Sequence, residues 1–398
     1  MKIAHLSQYF QPKIGYNDLY LPLKQQEMGH EVCVVTSDRY MPNMEFFGNV
    51  MAERIVGTGA FREDGILAYR LPCVFEIRGY APLVLGIRET LSAFKPDVVH
   101  CHDVVSPFLV AAALNKKVIK YVLVADSITG SFHPEKTKKI AYFFYKRTVF
   151  PYIAREVDRF FAITDGAQRW LVEEFGVAPE RIELIPLGAD MDLFTHDSAK
   201  RKEIRSLLGV ADKDVLLVYS GKMVPEKDLS TLIRAVALLP AKTAKRVKLL
   251  FVGGGPKHYI DEIIRLAQEH GIRDKMILKP PVPRTELPVY YSAADVGVWP
   301  GIPSNSIIEA MSSSLPIVIV DYSSRRHEYD TSGFLGNNNG LSFGEGDAKE
   351  LSSAIQKLAD DDELRRTMGK RGRQLVEEKL NWKTISVMTT DAYERAKH

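Results

Sequence analysis

Two lysines and one glutamate carry the sharpest chemical suggestion in this sequence. Lys222 and Lys227 occupy SGKMVPEKD (220–228), a turn that follows one β-branched run and precedes a helical pattern. Two ammonium groups there can clamp a diphosphate and stabilise the charge it gains as a leaving group. Glu309 is the single carboxylate of PGIPSNSIIEAM (300–311), among small, apolar or hydroxylic residues. A carboxylate has two acceptor oxygens and can hold both hydroxyls of a ribose. Ser304 or Asn305 is placed to cap a helix running from Ser306 through Ser313. Free amides of that first turn, around Ser304, Asn305, Ser306 and Ile307, suit a phosphate together with the helix dipole. Each feature also has a plain structural account: solvated lysines at 222 and 227, and for Glu309 a buried acid held by a local Lys or hydroxyl.

Weaker signals lie elsewhere. FVGGGP (251–256) sets three glycines at another strand end, so Gly253 and Gly254 allow close approach of a ligand, or simply form a tight turn. The spacing does not match G-x-G-x-x-G with a downstream ribose acid, which speaks against a dinucleotide site. In HCHD (100–103) strand alternation puts His100 and His102 on one face and Cys101 on the other, so no Cys-His dyad is read. A histidine at that strand end can polarise or position an acceptor hydroxyl, the competing account being a core histidine satisfied by backbone. Gly15, after the first strand, can let backbone amides approach a phosphate or sugar. The DDDE run at 360–363 reads as a solvated helix cap rather than a metal site.

These residues need a scaffold that delivers strand ends and helix starts to one place. Short β-branched runs alternate with amphipathic stretches, which is the βαβ pattern of a doubly wound α/β sheet. The runs are KIAHLS, EVCVVTS (31–37), PDVVHCH (96–102), KVIKYVLVAD (117–126), DRFFAIT (158–164) and RIELIPLG (181–188). A second series starts at DVLLVYSG (214–221) and continues through RVKLLFVGGG, KMILKP, DVGVWPG and LPIVIVD. The polar stretch between the two series is read as a linker and an entry helix, and 398 residues suit two domains. In open α/β sheets ligands sit beyond the carboxyl ends of the strands, so the cleft faced by the two halves is the expected site.

Composition narrows the class. The chain is 45% hydrophobic and 26% charged, as ordinary folded domains are, and its net charge of +3 argues against nucleic-acid binding. Cys33, Cys73 and Cys101 share no metal-ligand spacing, and a reducing cytoplasm fits them. From Lys116 to Arg159 basic residues outnumber acids ten to four, and 141–155 interleaves them with aromatics. That segment suits peripheral contact with an anionic membrane surface or a lipid-linked substrate, or else is a half-buried helix with snorkelling Lys and Arg.

Taken in order, GHEVCVVTS, PDVVHCHD, RIELIPLGADMDLF, YSGKMVPEKDLSTLIRAVALL, FVGGGP, YYSAADVGVWPG, SNSIIEAMSSSLPIVIVD and GRQLVEEKLNW resemble the GT-B retaining glycosyltransferases of family 4. The resemblance covers nearly the whole chain. It implies two Rossmann-like domains, 1–197 for the acceptor and 198–375 for a nucleotide-diphosphate sugar, with 376–398 as a helix crossing back to the first. It implies a nucleotide-sugar donor, UDP-linked by preference, a hydroxyl acceptor that is polar, anionic or lipid-linked, and no metal or other cofactor. Lys222 and Lys227 match the family's diphosphate-binding basic pair, with Lys where Arg is usual, so a bidentate grip becomes a point charge. Glu309 matches the ribose ligand and His102 the histidine beside the reacting sugar. The first glutamate of the family's pair falls on Gly301, and the paired glycines after the first strand are reduced to Gly15 and Tyr16. A nucleotide-sugar epimerase or hydrolase, or a sugar-nucleotide-binding protein without turnover, are the alternatives on the same architecture.

Overall fold

The computed structural model describes residues 1–42, 46–47, 50, 53–77, 81–127, 139–322 and 331–397. They form two compact units. The first comprises Met1–Pro42, Glu53–Leu187 and the chain from Trp382 onward; the second comprises Gly188–Asn381, with Phe46, Phe47 and Val50 counted in it.

The first unit has ten strands among its described residues. They are β1 (Lys2–Leu6), β2 (Glu31–Ser37), β3 (Gly59–Glu63), β4 (Ile66–Leu71), β5 (Cys73–Ile77), β6 (Ala81–Val84), β7 (Val98–His102), β8 (Val122–Ser127), β9 (Arg159–Ala162) and β10 (Ile182–Leu184). The β-branched runs supply those of its parallel centre, such as β1, β2, β7 and β8, which are buried on both faces as parallel sheets require. The main sheet runs β10-β9-β8-β7-β1-β2-β4-β3, parallel except for β3, and β5 with β6 makes a separate antiparallel pair. The chain order reverses direction at β1, between β2 and β7, which is the topological switch point of this sheet. On one face pack Ala4, Cys33, Val99, Cys101, Phe108 and Leu123. On the other, Ile3, Tyr20, Val98, Val124 and Phe161 pack with Trp382, Ile385 and Tyr393 of the helix Trp382–Ala396.

Two expectations for this unit are corrected. The run from 117 is not strand at its start. Ser106 accepts from the Phe108 amide at 3.1 Å and Pro107 occupies the first helical position, so a helix nucleates there and runs Pro107–Ile119. The strand begins only at Val122. The antiparallel pairs β3/β4 and β5/β6 fall in a stretch to which the alternation pattern assigned no element.

The second unit holds β11 (Val215–Ser220), β12 (Val247–Val252), β13 (Met276–Lys279), β14 (Val296–Trp299), β15 (Ile317–Asp321) and β16 (Gly340–Gly344), in the order β13-β12-β11-β14-β15-β16, all parallel. Its switch point is the β11/β14 seam. The expected division at 197/198 differs from the observed one, because 188–197 packs as part of this unit. The Ala189 amide donates to Leu380 O at 2.9 Å and Ser312 Oγ donates to Phe194 O at 2.8 Å. Asp197 caps the helix Ser198–Leu207, whose Arg201 and Arg205 both pair with Asp295 just before β14. The helix Asp362–Lys379 runs past 376, and the chain changes unit at Asn381/Trp382. Asp361 of the acidic run caps that helix through the Leu364 amide at 2.8 Å, as its composition implied.

Candidate active site

The second unit gathers its candidates at the carboxyl ends of β11, β12 and β14. Lys222 and Lys227 follow β11, and Gly301 through Glu309 follow β14, so the lysines and the glutamate lie on the two sides of the switch-point seam. Lys227 is fixed there: its ammonium donates to Ile302 O at 2.7 Å and to Pro303 O at 3.1 Å. Burial, and then the charge of Lys222, bring its pKa down to about 8. Lys222 is lowered as well, by burial, and its Nζ stands 5.1 Å from the centroid of the Phe46 ring. Two neighbouring ammonium groups that repel each other and are short of water form a receptive place for a polyanion.

Glu309 is buried, and burial raises its pKa to about 7 against the opposing hydrogen bonds of Tyr291 and Asn305 and the charge of Arg284. Tyr291 Oη lies 3.4 Å from Glu309 Oε2, 2.6 Å from Ser220 Oγ and 3.3 Å from Ser306 O. Thus Glu309 has hydrogen-bonding partners and the charge of Arg284 in its surroundings, but among the described residues no Lys or Arg lies at ion-pair distance in these contacts. Tyr291 and Arg284 were not read from the sequence; the tyrosine lies in YYSAAD, where nothing in the spacing marks one ring over the other.

The expected cap is corrected. The helix occupies Ser306–Ser312, Asn305 sits at its cap position, and no side-chain cap bond forms. Asn305 Nδ2 instead donates to Gly188 O at 3.2 Å, while Ser304 Oγ pairs with Ser306 Oγ at 2.8 Å and Ser306 Oγ donates to Ser220 O at 2.9 Å. These serines tie the ends of β11 and β14 together. Ile307 is fully buried and its amide donates to Ser304 O at 3.1 Å, so it serves the helix itself. At the end of β12 a Cβ on Gly253 would fall on the carbonyl oxygen of Gly221, and Gly254 O accepts from the Met223 amide at 2.7 Å. Both glycines therefore seat the loop that carries Lys222.

Gly301 has an unforeseen reason to be glycine. A Cβ there would lie 2.5 Å from the Lys227 carbonyl carbon and 2.6 Å from its Cα, and would press on Glu226 O. The Ile302 amide also donates to Glu226 O at 3.0 Å. The 225–227 turn and the 301–303 loop are in backbone contact, so no side chain fits.

The first unit has its own candidate site at the β1/β7 switch point. Gly15, at φ 78°, and Asn17 follow β1, and His102 ends β7. His102 Nδ1 lies 2.7 Å from Asp126 Oδ2, and its Nε2 lies 3.1 Å from His5 Nδ1. Both nitrogens are engaged inside the protein, so the expected grip on an acceptor hydroxyl is not made by a free ring nitrogen in this conformation. Burial lowers the His102 pKa, but the charge and hydrogen bond of Asp126, with the charge of Asp18, outweigh it and the net shift is upward. Cys101 points to the opposite face, as alternation required. Asp126, His5 and Asp18 were not singled out in the sequence, although His5 in KIAHLS alternates toward the same face as His100.

Among the described residues, His5, His100 and His102 alone bring three metal-ligand atoms together, within 4.8 Å of one another. Three imidazoles can hold a transition ion. Here, however, His5 Nδ1 and His102 Nε2 face each other as hydrogen-bond partners rather than converging on a common vacancy.

Two family models match this chain: Glycosyltransferase Family 4 over residues 23–193 and Glycosyl transferases group 1 over residues 200–375. A D-inositol 3-phosphate glycosyltransferase of Kineococcus radiotolerans is 29% identical over 260 residues, 61% of this chain. The match covers 58% of that relative's own length. Among solved structures, the sucrose-phosphate synthase of Thermosynechococcus elongatus superposes with a TM-score of 0.73 at 20% identity, covering 99% of this chain and 98% of the other. Anabaena HepE in complex with UDP gives 0.75 at 17% identity, covering 99% and 100%.

Proposed function

The chain belongs to glycosyltransferase family 4, with the GT-B fold of two Rossmann-like domains, and from that we propose that it moves a sugar, with retention, from a nucleoside-diphosphate donor to a hydroxyl acceptor. UDP is our preferred nucleotide. The observation that carries the reading is the backbone contact between the turn of Lys222 and Lys227 and the 301–303 loop that leads to Glu309, which sets two partly buried cations and one buried carboxylate at one switch point.

In this reading Glu309 accepts the two ribose hydroxyls and the lysines hold the diphosphate. As the glycosidic C–O bond breaks, the leaving diphosphate gains charge, and the two ammonium groups stabilise it without a metal ion. An oxygen of the departing phosphate takes the proton of the attacking hydroxyl, so positioning supplies most of the rate. His102 stands as a fixed charge on the acceptor side. Gly301 leaves the donor sugar to backbone groups, because its surroundings have no space for the family's glutamate.

For the acceptor we favour a polar or lipid-linked alcohol met at the cytoplasmic face of a membrane. The helical stretch from Lys139 to Ile153 leaves Ile140, Phe143, Phe144 and Tyr152 more than half exposed, with Lys146 and Arg147 between them. Among the described residues no helix is long and apolar enough to cross a bilayer, so any contact made through this stretch would be at the surface.

The test is an acceptor-dependent transfer assay over UDP- and GDP-sugars, preceded by calorimetric titration of UDP and GDP. Binding of one nucleotide followed by transfer of its sugar supports the proposal. A folded protein that binds neither nucleotide and transfers nothing overturns it.

A further inference from the structure

Six buried side chains of the first unit are linked by five hydrogen bonds, and one charge contact closes them into a ring. Starting from Asp126, Oδ2 lies 2.7 Å from His102 Nδ1. His102 Nε2 lies 3.1 Å from His5 Nδ1, and His5 Nε2 lies 2.8 Å from Gln25 Oε1. Gln25 Nε2 lies 3.3 Å from Tyr393 Oη, and Tyr393 Oη lies 2.7 Å from His100 Nδ1. His100 Nε2 lies 3.4 Å from Asp126 Oδ2, a charge contact not aligned as a hydrogen bond, so that nitrogen has no hydrogen-bond partner. Four elements beside β7 contribute: β1, β8, the helix Asn17–Glu27 and the helix Trp382–Ala396.

The direction of every proton follows from one fact, that an ionised carboxylate only accepts. Asp126 is held ionised by its donors, the Asp103 amide at 2.9 Å on Oδ1 and Asn17 Nδ2 at 3.2 Å on Oδ2 in addition to the imidazoles. A bare nitrogen 3.4 Å from that carboxylate would be repelled, so His100 carries its proton at Nε2 and its neutral Nδ1 accepts from the Tyr393 hydroxyl. Having given its proton, Tyr393 Oη accepts from Gln25 Nε2. Gln25 Oε1 accepts from His5 Nε2, and one proton lies between His5 Nδ1 and His102 Nε2; the Asp126 carboxylate against His102 keeps it there, so His5 Nδ1 accepts. His102 alone donates at both nitrogens and is an imidazolium.

We infer that Tyr393, from the far end of the chain, is a positioning residue: through this ring it keeps His102 charged and fixes the plane of its ring at the acceptor side of the proposed transferase. The inference rests on that functional reading for the meaning of His102, but not for the ring itself. The other groups facing His102 agree with it. Burial keeps His5 and His100 neutral, the latter with its pKa lowered to about 4, and the His102 charge helps to hold Asp126 well below the usual carboxylate range against its burial. Asp18, which accepts from Ser7 Oγ at 2.7 Å, adds its charge to the environment of His102.

If His102 were neutral, His5 would donate to it, the Gln25 amide would have to turn over, and Tyr393 would donate to Gln25. His100 would then face Asp126 with a bare nitrogen. The ring thus has two senses, and only the charged one turns a proton from both His100 and His102 toward the Asp126 carboxylate.

The test is long-range proton–nitrogen correlation spectroscopy of the histidine side chains at pH 7, on the intact protein and on Tyr393→Phe, which keeps the packed ring but removes the hydroxyl. The expected spectrum has His102 doubly protonated, and His5 and His100 each protonated at Nε2. In Tyr393→Phe, His102 should titrate at lower pH, and kcat/KM for the acceptor should fall about tenfold, as for one lost buried hydrogen bond. Gln25→Met opens the ring at another link and should do the same, which covers the case of one variant failing to fold. A neutral His102 in the wild type, or unchanged histidine signals in both variants, overturns the ring. A metal ion bound in equal amount and lost in His5→Ala also overturns it. The expected spectra without any transfer activity would leave the ring standing and remove the transferase reading instead.

Discussion

Gly301 is pressed against the backbone of Lys227, so closely that a Cβ at 301 would stand 2.6 Å from the Lys227 Cα. The residue that departs from the family's glutamate pair is therefore held by the same turn that aims Lys227, the lysine we propose for the diphosphate. Gly301→Glu should not restore a sugar contact. Both Gly301→Ala and Gly301→Glu should push the 225–227 turn away, lowering stability by about 1–3 kcal/mol, the usual range for overpacking, and weakening UDP binding. Thermal melts and calorimetry of the two variants decide it; a Gly301→Ala protein that melts and binds like the wild type would refute the packing argument.

Lys222 and Lys227 are assigned to the diphosphate and Glu309 to the ribose, so their removal should be told apart by the ligand. Alanine at either lysine should weaken UDP about 10–100-fold, the range for losing a charge-assisted contact of about 1.5–3 kcal/mol, and leave uridine almost unaffected. Glu309→Ala should weaken both UDP and uridine. Equal losses of UDP and uridine in the lysine variants would mean that those side chains act on structure rather than on phosphate.

Binding should be greatest near neutral pH. The Glu309 pKa is raised to about 7, so the carboxylate proposed to accept ribose is lost as pH falls through 7. The Lys227 pKa is lowered to about 8, so the ammonium is lost as pH rises through 8. The free-enzyme pH profile of kcat/KM should have an acid limb removed by Glu309→Gln and an alkaline limb moved by Lys227→Arg. A profile flat from pH 6 to 9 would contradict both assignments.

Glu309 should also cost stability when no ligand is bound. Its folded pKa lies above the unfolded value, so the penalty of burying the charge begins above pH 4.5 and is fully present above pH 7. A rise from 4.5 to about 7 corresponds to about 3 kcal/mol at pH 8. Glu309→Gln should therefore raise the melting temperature at pH 8 and leave it little changed at pH 4, while losing nucleotide affinity. A variant destabilised at pH 8 would show that the carboxylate is there for packing.

What could be read from the sequence was whatever follows from local pattern. Alternation placed His100 and His102 opposite Cys101, and β-branched runs ending in SGK and VWPG marked the two strand ends that meet at β11/β14. What could not be read depends on contacts between distant segments. His100 and Tyr393 are separated by 293 positions, and nothing local to either announces the other. Gly301 looked like a lost glutamate because the turn that excludes a side chain comes from 225–227. The Ser306 hydroxyl looked like part of a helix start, yet its partner is the end of a neighbouring strand.

The segment 141–155 leads to the last prediction. Phe150 and Ile153 anchor it in the core, yet Phe143 and Phe144 are 53% and 59% exposed, more than a merely half-buried helix needs. The neighbouring helix Pro107–Ile119 leaves Leu114 and Val118 exposed too, and its Lys117 Nζ stands 5.8 Å from the Tyr152 ring centroid. Apolar rings interleaved with Lys139, Lys146, Arg147 and Arg155 suit an anionic lipid surface, where rings enter the headgroup layer and cations meet phosphates. The protein should therefore co-sediment with phosphatidylglycerol vesicles and much less with phosphatidylcholine, and high salt should weaken the binding. Phe143→Ser with Phe144→Ser should reduce it tenfold or more, since a ring fully withdrawn from water contributes about 1.5–3 kcal/mol. The double variant should keep the melting temperature and UDP affinity of the wild type, because neither ring is in the core. Equal binding to both vesicle types, or binding that survives the double substitution, would mean that this face does not meet the membrane and that the acceptor arrives from solution.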